Sequence, residues 1–351
     1  MTAPEVLRAP FPYFGGKRRV APKVWELLGD PRHYVEPFCG SMAVLLARPS
    51  WHRNWCETVN DADGWLTNTW RSIQQDPRET AYYATGPVSE VDYHAQLAWL
   101  QERREGFVSL LEGDPEFYDP KAAGWWLRVM AAGIGDPFGP GPWRVVDGRL
   151  VDTRALPHLG DKGRGVNREL PHLGNKGRGV NRALPHLGNK GRGVNRALPH
   201  LGDKGQGIEN YLTTISNRLQ HTRITTGDWT RPLTNTPIHA GQPTHTIGVL
   251  LDPPYETSTN LYATTNTGHH TISQDVRHWC ATTATEWINQ GMRIILCGYE
   301  NEHDELIDHG WRKTAGAHTT GGYAKDKTRQ GKTENLWLSP SIEDPDDHTL
   351  F

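Results

Sequence analysis

Closely spaced cysteines are missing from this 351-residue chain, whose four, Cys39, Cys56, Cys280 and Cys297, lie far apart. That scatter argues against a disulfide framework and against a thiolate zinc site, and it suits a reducing cytoplasm. No apolar run approaches the roughly 18 residues of a membrane span, and the N-terminal residues lack a basic-then-apolar leader pattern. A cytoplasmic chain without membrane contact is therefore expected. Excess charge is absent as well: the formal net charge is −2, so any surface for a polyanion must be local rather than global. Glycine is sparse where a pyrophosphate binder needs it. The segment Glu36-Pro37-Phe38-Cys39-Gly40 offers one glycine in place of the several of a dinucleotide fingerprint, which favours a ligand without phosphates.

What is present reads as alternating strands and helices, hence an α/β doubly wound sheet, interrupted by one long insertion. The stretch His33 to Ser41 reads as a short strand running into a glycine turn, followed by an apolar helix start at Met42 to Ala47. A helix from about Ala21 to Leu28 precedes it, ended by Gly29-Asp30-Pro31. Glu57 to Asp61 reads as a second strand ending in an acid. After the insertion come a helix at Tyr211 to Leu219, a strand from Arg223 ending at Asp228, and the strand Thr246 to Leu251. They are followed by a helix around Ser273 to Gln290 and strands at Met292 to Tyr299 and Glu334 to Leu338. Residues 1–75 and 212–351 then form one catalytic domain, and residues 76–211 an inserted region. The first part of that insertion is mostly helical, with Tyr93 to Leu111 its best helix.

Residues 156–211 are a different object. Four copies of a fourteen-residue unit begin at Leu156, Leu170, Leu184 and Leu198, each reading Leu-Pro-His-Leu-Gly-Asp/Asn-Lys-Gly-Arg/Gln-Gly. Three glycines and a proline per unit predict loops or short hairpins rather than a helix or a solenoid core. Between Arg154 and Tyr211 stand eleven Lys or Arg against four Asp or Glu, a local +7 in a chain whose remainder carries −9. Lys162, Arg164, Lys176, Arg178, Lys190, Arg192 and Lys204 sit between glycines that let backbone approach phosphates, while Arg168, Arg182 and Arg196 are placed to read guanine edges. A tandem duplication that only lengthens a solvated loop would look the same. His158, His172, His186 and His200 recur in register but lack zinc spacing, so no metal is expected.

Asp252-Pro253-Pro254-Tyr255 closes the strand ending at Leu251. The prolines stiffen the turn and remove two backbone donors, leaving carbonyls as acceptors. Asp252 and the Pro253 carbonyl suit the two hydrogens of an exocyclic amine, and Tyr255 suits stacking on its ring. An ordinary loop opening also carries Asp-Pro-Pro. Yet three acids, Asp61, Asp228 and Asp252, now fall at strand ends, where open α/β sheets bind ligands.

Tyr13-Phe14-Gly15-Gly16-Lys17, Val35-Glu36-Pro37-Phe38-Cys39-Gly40 and Asp252-Pro253-Pro254-Tyr255, in this order and split by one insertion, closely resemble the motifs of Dam-type DNA adenine-N6 methyltransferases of the alpha arrangement. The resemblance covers about residues 11–75 and 212–340, and the insertion stands where that family keeps its target-recognition region. It implies a Rossmann-like sheet that binds S-adenosylmethionine. Tyr13, Phe14, Gly15, Gly16, Lys17, Glu36, Pro37, Phe38, Cys39 and Gly40 would hold the cofactor, with Lys17 near its carboxylate and Glu36 near its amino end. Asp61 would take its ribose hydroxyls, Asp228 its adenine amine, and Trp229 would pack on that ring. Cys39 departs from the small residue equally expected there. Asp252, Pro253, Pro254 and Tyr255 would be catalytic, gripping an adenine flipped out of double-stranded DNA.

The resemblance further implies site-specific DNA methylation, by a solitary enzyme or by the modification partner of a restriction endonuclease. Cytosine-N4 methylation, or a DNA-binding relative without activity, are the alternatives. Protein-amide methylation would go with asparagine at position 252.

Overall fold

Strand β1 (His33–Glu36) is buried along its whole length, the mark of a strand covered on both faces. It lies inside a seven-stranded sheet in a computed structural model that describes residues 7–13, 17–50, 55–86, 89–133, 137–138, 143–146, 149–152, 206–234, 246–254, 269–318 and 333–343. The other members are β2 (Cys56–Asp61), β5 (Thr222–Thr226), β6 (Ile247–Leu251), β7 (Arg293–Tyr299), β8 (Arg312–His318) and β9 (Thr333–Leu338). Their order is β5-β2-β1-β6-β7-β9-β8, and a separate antiparallel hairpin joins β3 (Trp143–Val146) to β4 (Arg149–Asp152). Strands β5, β2, β1, β6 and β7 run parallel, while β9 is antiparallel to both β7 and β8. This is a Rossmann-like arrangement, consistent with a methyltransferase. The chain winds outward from β1 through β2 to β5, then returns and winds the other way through β6 and β7. Order therefore reverses between β1 and β6, and the crevice beyond their carboxyl ends is the place where doubly wound sheets bind ligands.

Alternation along the strands builds two cores. Tyr34, Leu250, Ile295 and Cys297 face one core, while Val35, Val249, Leu251, Ile294 and Leu296 face the other. The first is covered by α1 (Ala21–Leu28), α2 (Ala43–Leu46) and α3 (Gly64–Gln75); the second by α8 (His269–Ala281) and α9 (Ala284–Asn289). Helix α1 ends at Gly29 in the left-handed region, φ 65°, as the Gly-Asp-Pro sequence predicts. Helices α4 (Pro77–Ala84), α5 (Glu90–Gly113) and α6 (Pro120–Ala132) begin at Asp76, Ser89 and Asp119. Each of those side chains accepts from a first-turn backbone N–H.

Three elements differ from the sequence expectation. Helix α7 spans Gln206–Leu219 and starts inside the fourth repeat copy, because Ile208, Leu212, Ile215 and Leu219 form a buried stripe that the other copies lack. Each such side chain contributes about 1.5–3 kcal/mol by burial. The helix expected around Ser273 to Gln290 breaks between α8 and α9 at Thr282-Thr283, where the Thr282 hydroxyl donates to the His278 carbonyl at 2.7 Å. Strand β8, Arg-Lys-Thr-Ala-Gly-Ala-His, has weak strand propensity and exists through its pairing with β9. The repeat units from Leu156 to Gly205 lie outside the described residues.

Candidate functional site

The crevice is assembled from the turns after β1, β2, β5 and β6. After β1, Gly40 adopts φ 45°, and a Cβ there would stand 2.8 Å from the Tyr13 ring, so only glycine allows Tyr13 to lie on the turn. The Cys39 N–H donates to the Asn60 carbonyl at 2.8 Å, and the buried Trp70 indole N–H donates to the Gly40 carbonyl at 3.0 Å. The turn is thus fixed from β2 and α3. Asp61, at the end of β2, accepts from the Gly40 N–H at 2.9 Å and the Asp63 N–H at 3.0 Å. Burial raises its pKa to about 6, against those donors and the backbone N–H of Ala62.

Asn60 links three strand ends. Its side-chain amide donates to the carbonyls of Pro37 at 3.2 Å and Gly227 at 3.0 Å, while its oxygen accepts from the Thr225 hydroxyl at 2.9 Å. Beyond β5, the exposed Asp228 carboxylate accepts from the Thr230 N–H at 2.8 Å and from the Thr230 hydroxyl. Trp229 stacks on Phe38 with centroids 5.9 Å apart and 22° between planes, and meets Trp279 edge-on at 6.0 Å. An aromatic pair therefore joins the turns after β1 and β5.

The acid of the proline turn sits in a charged cluster. Lys17 Nζ lies 2.7 Å from Asp252 Oδ2 and 2.8 Å from Glu334 Oε1, with the Lys17 and Glu334 side chains almost wholly buried and that of Asp252 19% exposed. Pro253 is buried and Pro254 half-buried. The Asp252, Cys297 and Glu334 ligand atoms lie within 4.8 Å of one another, a grouping that could take a metal ion in other surroundings. Here the ammonium already bridges the two carboxylates, and burial holds the Cys297 thiol well above its ordinary pKa.

Glu36 is buried and accepts from the Tyr34 hydroxyl at 3.1 Å. Burial drives its pKa up to about 8; the Tyr34 hydrogen bond opposes the rise, and the Asp252 charge adds to it. Near neutral pH Glu36 is thus largely uncharged, a hydrogen-bonding group rather than an anion. Burial likewise raises the pKa of Tyr299, at the end of β7.

Of the residues the sequence singles out, Tyr13, Lys17, Glu36, Pro37, Phe38, Cys39, Gly40, Asp61, Asp228, Trp229, Asp252, Pro253 and Pro254 stand on the turns that border this crevice. Phe14, Gly15, Gly16 and Tyr255 lie outside the described residues, as do Lys162, Arg164, Arg168, Lys176, Arg178, Arg182, Lys190, Arg192, Arg196 and Lys204. Lys17, expected near a cofactor carboxylate, lies 2.7 Å from Asp252.

Glu334 and Asn60 were not anticipated. Glu334 stands near the start of its strand, where the sequence carries no signal of a site residue; antiparallel pairing, Tyr299 opposite Glu334, brings it to the carboxyl edge of β7. Asn60 was visible only as the neighbour of Asp61. At the other edge of the sheet Glu57 makes a buried network with Arg48 Nη1 at 2.9 Å, Arg218 Nη1 at 2.7 Å and the Thr222 hydroxyl at 3.0 Å. Those partners, above all Arg218, hold its carboxyl below the ordinary value against burial. This network supports the fold and lies away from the crevice.

Among the described residues no helix is long and apolar enough to cross a membrane. No curated protein matches the chain. Residues 13–110 match the family model of D12 class N6 adenine-specific DNA methyltransferases, a stretch holding Tyr13, Lys17, the Gly40 turn, Asp61 and the capped helices α3 to α5. With the doubly wound sheet and the motif order, this match supports a Dam-type N6 adenine-specific DNA methyltransferase, a class of enzyme dependent on S-adenosylmethionine.

Proposed function

We propose that this chain methylates the exocyclic amine of a specific adenine in double-stranded DNA, with the base flipped into the crevice beyond β6. The observation that carries the reading is the charge of the cluster at Asp252. Lys17, Asp252 and Glu334 sum to a single negative charge, and Glu36, with a pKa near 8, adds little near neutral pH. A largely desolvated site with one net negative charge favours a cation. S-adenosylmethionine fits that demand: when bound, it supplies an electrophilic methyl group on a sulfonium.

The turns after β1, β2 and β5 would hold the cofactor. Beyond its backbone donors Asp61 keeps acceptor capacity for ribose hydroxyls, Phe38 and Trp229 offer aromatic faces at the adenine end, and Asp228 offers an acceptor. Phe14, Gly15 and Gly16 belong to this set by motif. The adenine amine is a weak nucleophile because its lone pair is delocalised into the ring. Asp252 and the Pro253 carbonyl would accept its two hydrogens, favour pyramidal nitrogen and turn the lone pair toward the methyl group. Tyr255 would stack on the flipped base. The basic repeats would meet phosphates and, through Arg168, Arg182 and Arg196, base edges, so residues 76–211 would act as the recognition region. A solitary enzyme and the partner of a restriction endonuclease would share this machinery.

Long-read sequencing of DNA from cells expressing the chain tests the reading. Modified adenine at one recurring sequence is expected; N4-methylcytosine instead, or unmodified DNA, would overturn it.

A further inference from the structure

The amine grip has a built-in obstacle. Asp252 Oδ2 is already taken by the Lys17 ammonium at 2.7 Å, and an ammonium that close draws electron density from the carboxylate it touches. A carboxylate so engaged is a poorer acceptor for a neutral amine. Lys17 is buried, however, so its charge cannot simply retreat into water. It needs a second anion.

Glu334 is that anion. Its Oε1 lies 2.8 Å from the same Nζ, and it is as buried as Lys17. Because β9 runs antiparallel to β7, the first residues of β9 stand at the carboxyl edge, Glu334 opposite Tyr299 and Leu336 opposite Cys297. The two carboxylates thus approach one ammonium from β6 and β9, at nearly equal distances.

We propose that Glu334 is a positioning residue for the methyl transfer: it takes the Lys17 ammonium as the target amine arrives, leaving Asp252 as a full-strength acceptor. The inference rests on the function proposed above. Without Glu334 the buried ammonium loses one of its two carboxylate contacts and leans on the other, Asp252, so the amine meets a half-neutralised carboxylate. Lys17 acts through this exchange rather than on the base itself.

The test is single-turnover transfer of labelled methyl from saturating S-adenosylmethionine to unmethylated genomic DNA, with cofactor affinity measured separately by calorimetry. At saturating cofactor, Glu334→Gln should lower the transfer rate by about tenfold or more, the scale of one charge-assisted hydrogen bond, apart from any loss of cofactor affinity that follows from the lost negative charge. In a Lys17→Gln background the same substitution should cost nothing, because no ammonium remains to be moved. A wild-type rate in Glu334→Gln would overturn the proposal. So would a further loss on substituting Glu334 in the Lys17→Gln background, the mark of a purely structural role. If Glu334→Gln alone does not fold, comparing Lys17→Gln with the Lys17→Gln/Glu334→Gln protein still decides. A wild-type protein that leaves adenine unmodified would overturn the proposed function as well, whereas an active wild type beside an equally active Glu334→Gln sinks only this inference.

Discussion

Nζ of Lys17 and Oδ2 of Asp252 stand 2.7 Å apart, joining a residue from the N-terminal loop to the acid at the end of β6. The pair spans the point where strand order reverses, so the part of the chain before the insertion and the part after it meet in one ion pair.

Replacing Asp252 tests the catalytic half of that pair. In Asp252→Ala the amine loses its charged acceptor, and methyl transfer should fall by about 10²-fold or more. Lys17 keeps Glu334 as a partner, and the cofactor turns after β1 and β2 are untouched. Calorimetric affinity for S-adenosylmethionine should therefore fall far less than the transfer rate, by no more than the loss of one negative charge from the cluster; substantial turnover in this variant would remove Asp252 from the mechanism.

Glu36 makes stability depend on pH. Its carboxyl titrates near 8 in the folded protein against an ordinary 4.5, so the folded state holds a proton that the unfolded chain releases. The favourable contribution is complete below about 4.5 and is lost progressively as pH rises to about 8. Glu36→Gln keeps an acceptor for the Tyr34 hydroxyl and cannot ionise. Urea denaturation at pH 8 should find it more stable than wild type on the order of a few kcal/mol, with the difference vanishing near pH 5.

Glu57 has the opposite sign. Arg218 and Arg48 hold its carboxyl below the ordinary 4.5, so its contribution is present above that value and disappears as pH falls through the folded one. Glu57→Ala leaves the buried Arg48 without one of its carboxylates and should cost about 3–5 kcal/mol in chemical denaturation. A loss below about 1 kcal/mol would mean that Asp30, at 2.9 Å from Arg48 Nε, suffices by itself.

The repeats are tested by removing two of the four copies. If their lysines and arginines meet phosphates, DNA affinity should drop, and the slope of log affinity against log salt should flatten by about 0.9 for each phosphate that the deleted residues had neutralised. Unchanged affinity and slope would make the copies a spacer.

Much of the sheet was legible because buried strands and glycine-ended helices write themselves locally. His33–Glu36, Cys56–Asp61 and Ile247–Leu251 carry β-branched and apolar runs that end at turn residues, and α1 carries its own stop signal in Gly29. Strand β8 was not legible, since nothing in Arg-Lys-Thr-Ala-Gly-Ala-His favours a strand apart from its neighbour β9. The start of α7 was hidden by the repeat pattern it interrupts.

For the site, the sequence alone determined the residue types and the motif order: an acid before two prolines, a glycine turn after a buried strand, and a lysine after a glycine pair. Those features are local, and local backbone chemistry dictates them. Tertiary structure decided which charges meet. Parallel neighbours put Asp61 on the Gly40 turn and Asn60 on the turns after β1 and β5, and the one reversed strand, β9, carried Glu334 to the carboxyl edge. Strand direction is a property of the assembled sheet. An acid at the start of a strand therefore becomes a site residue only once that direction is known.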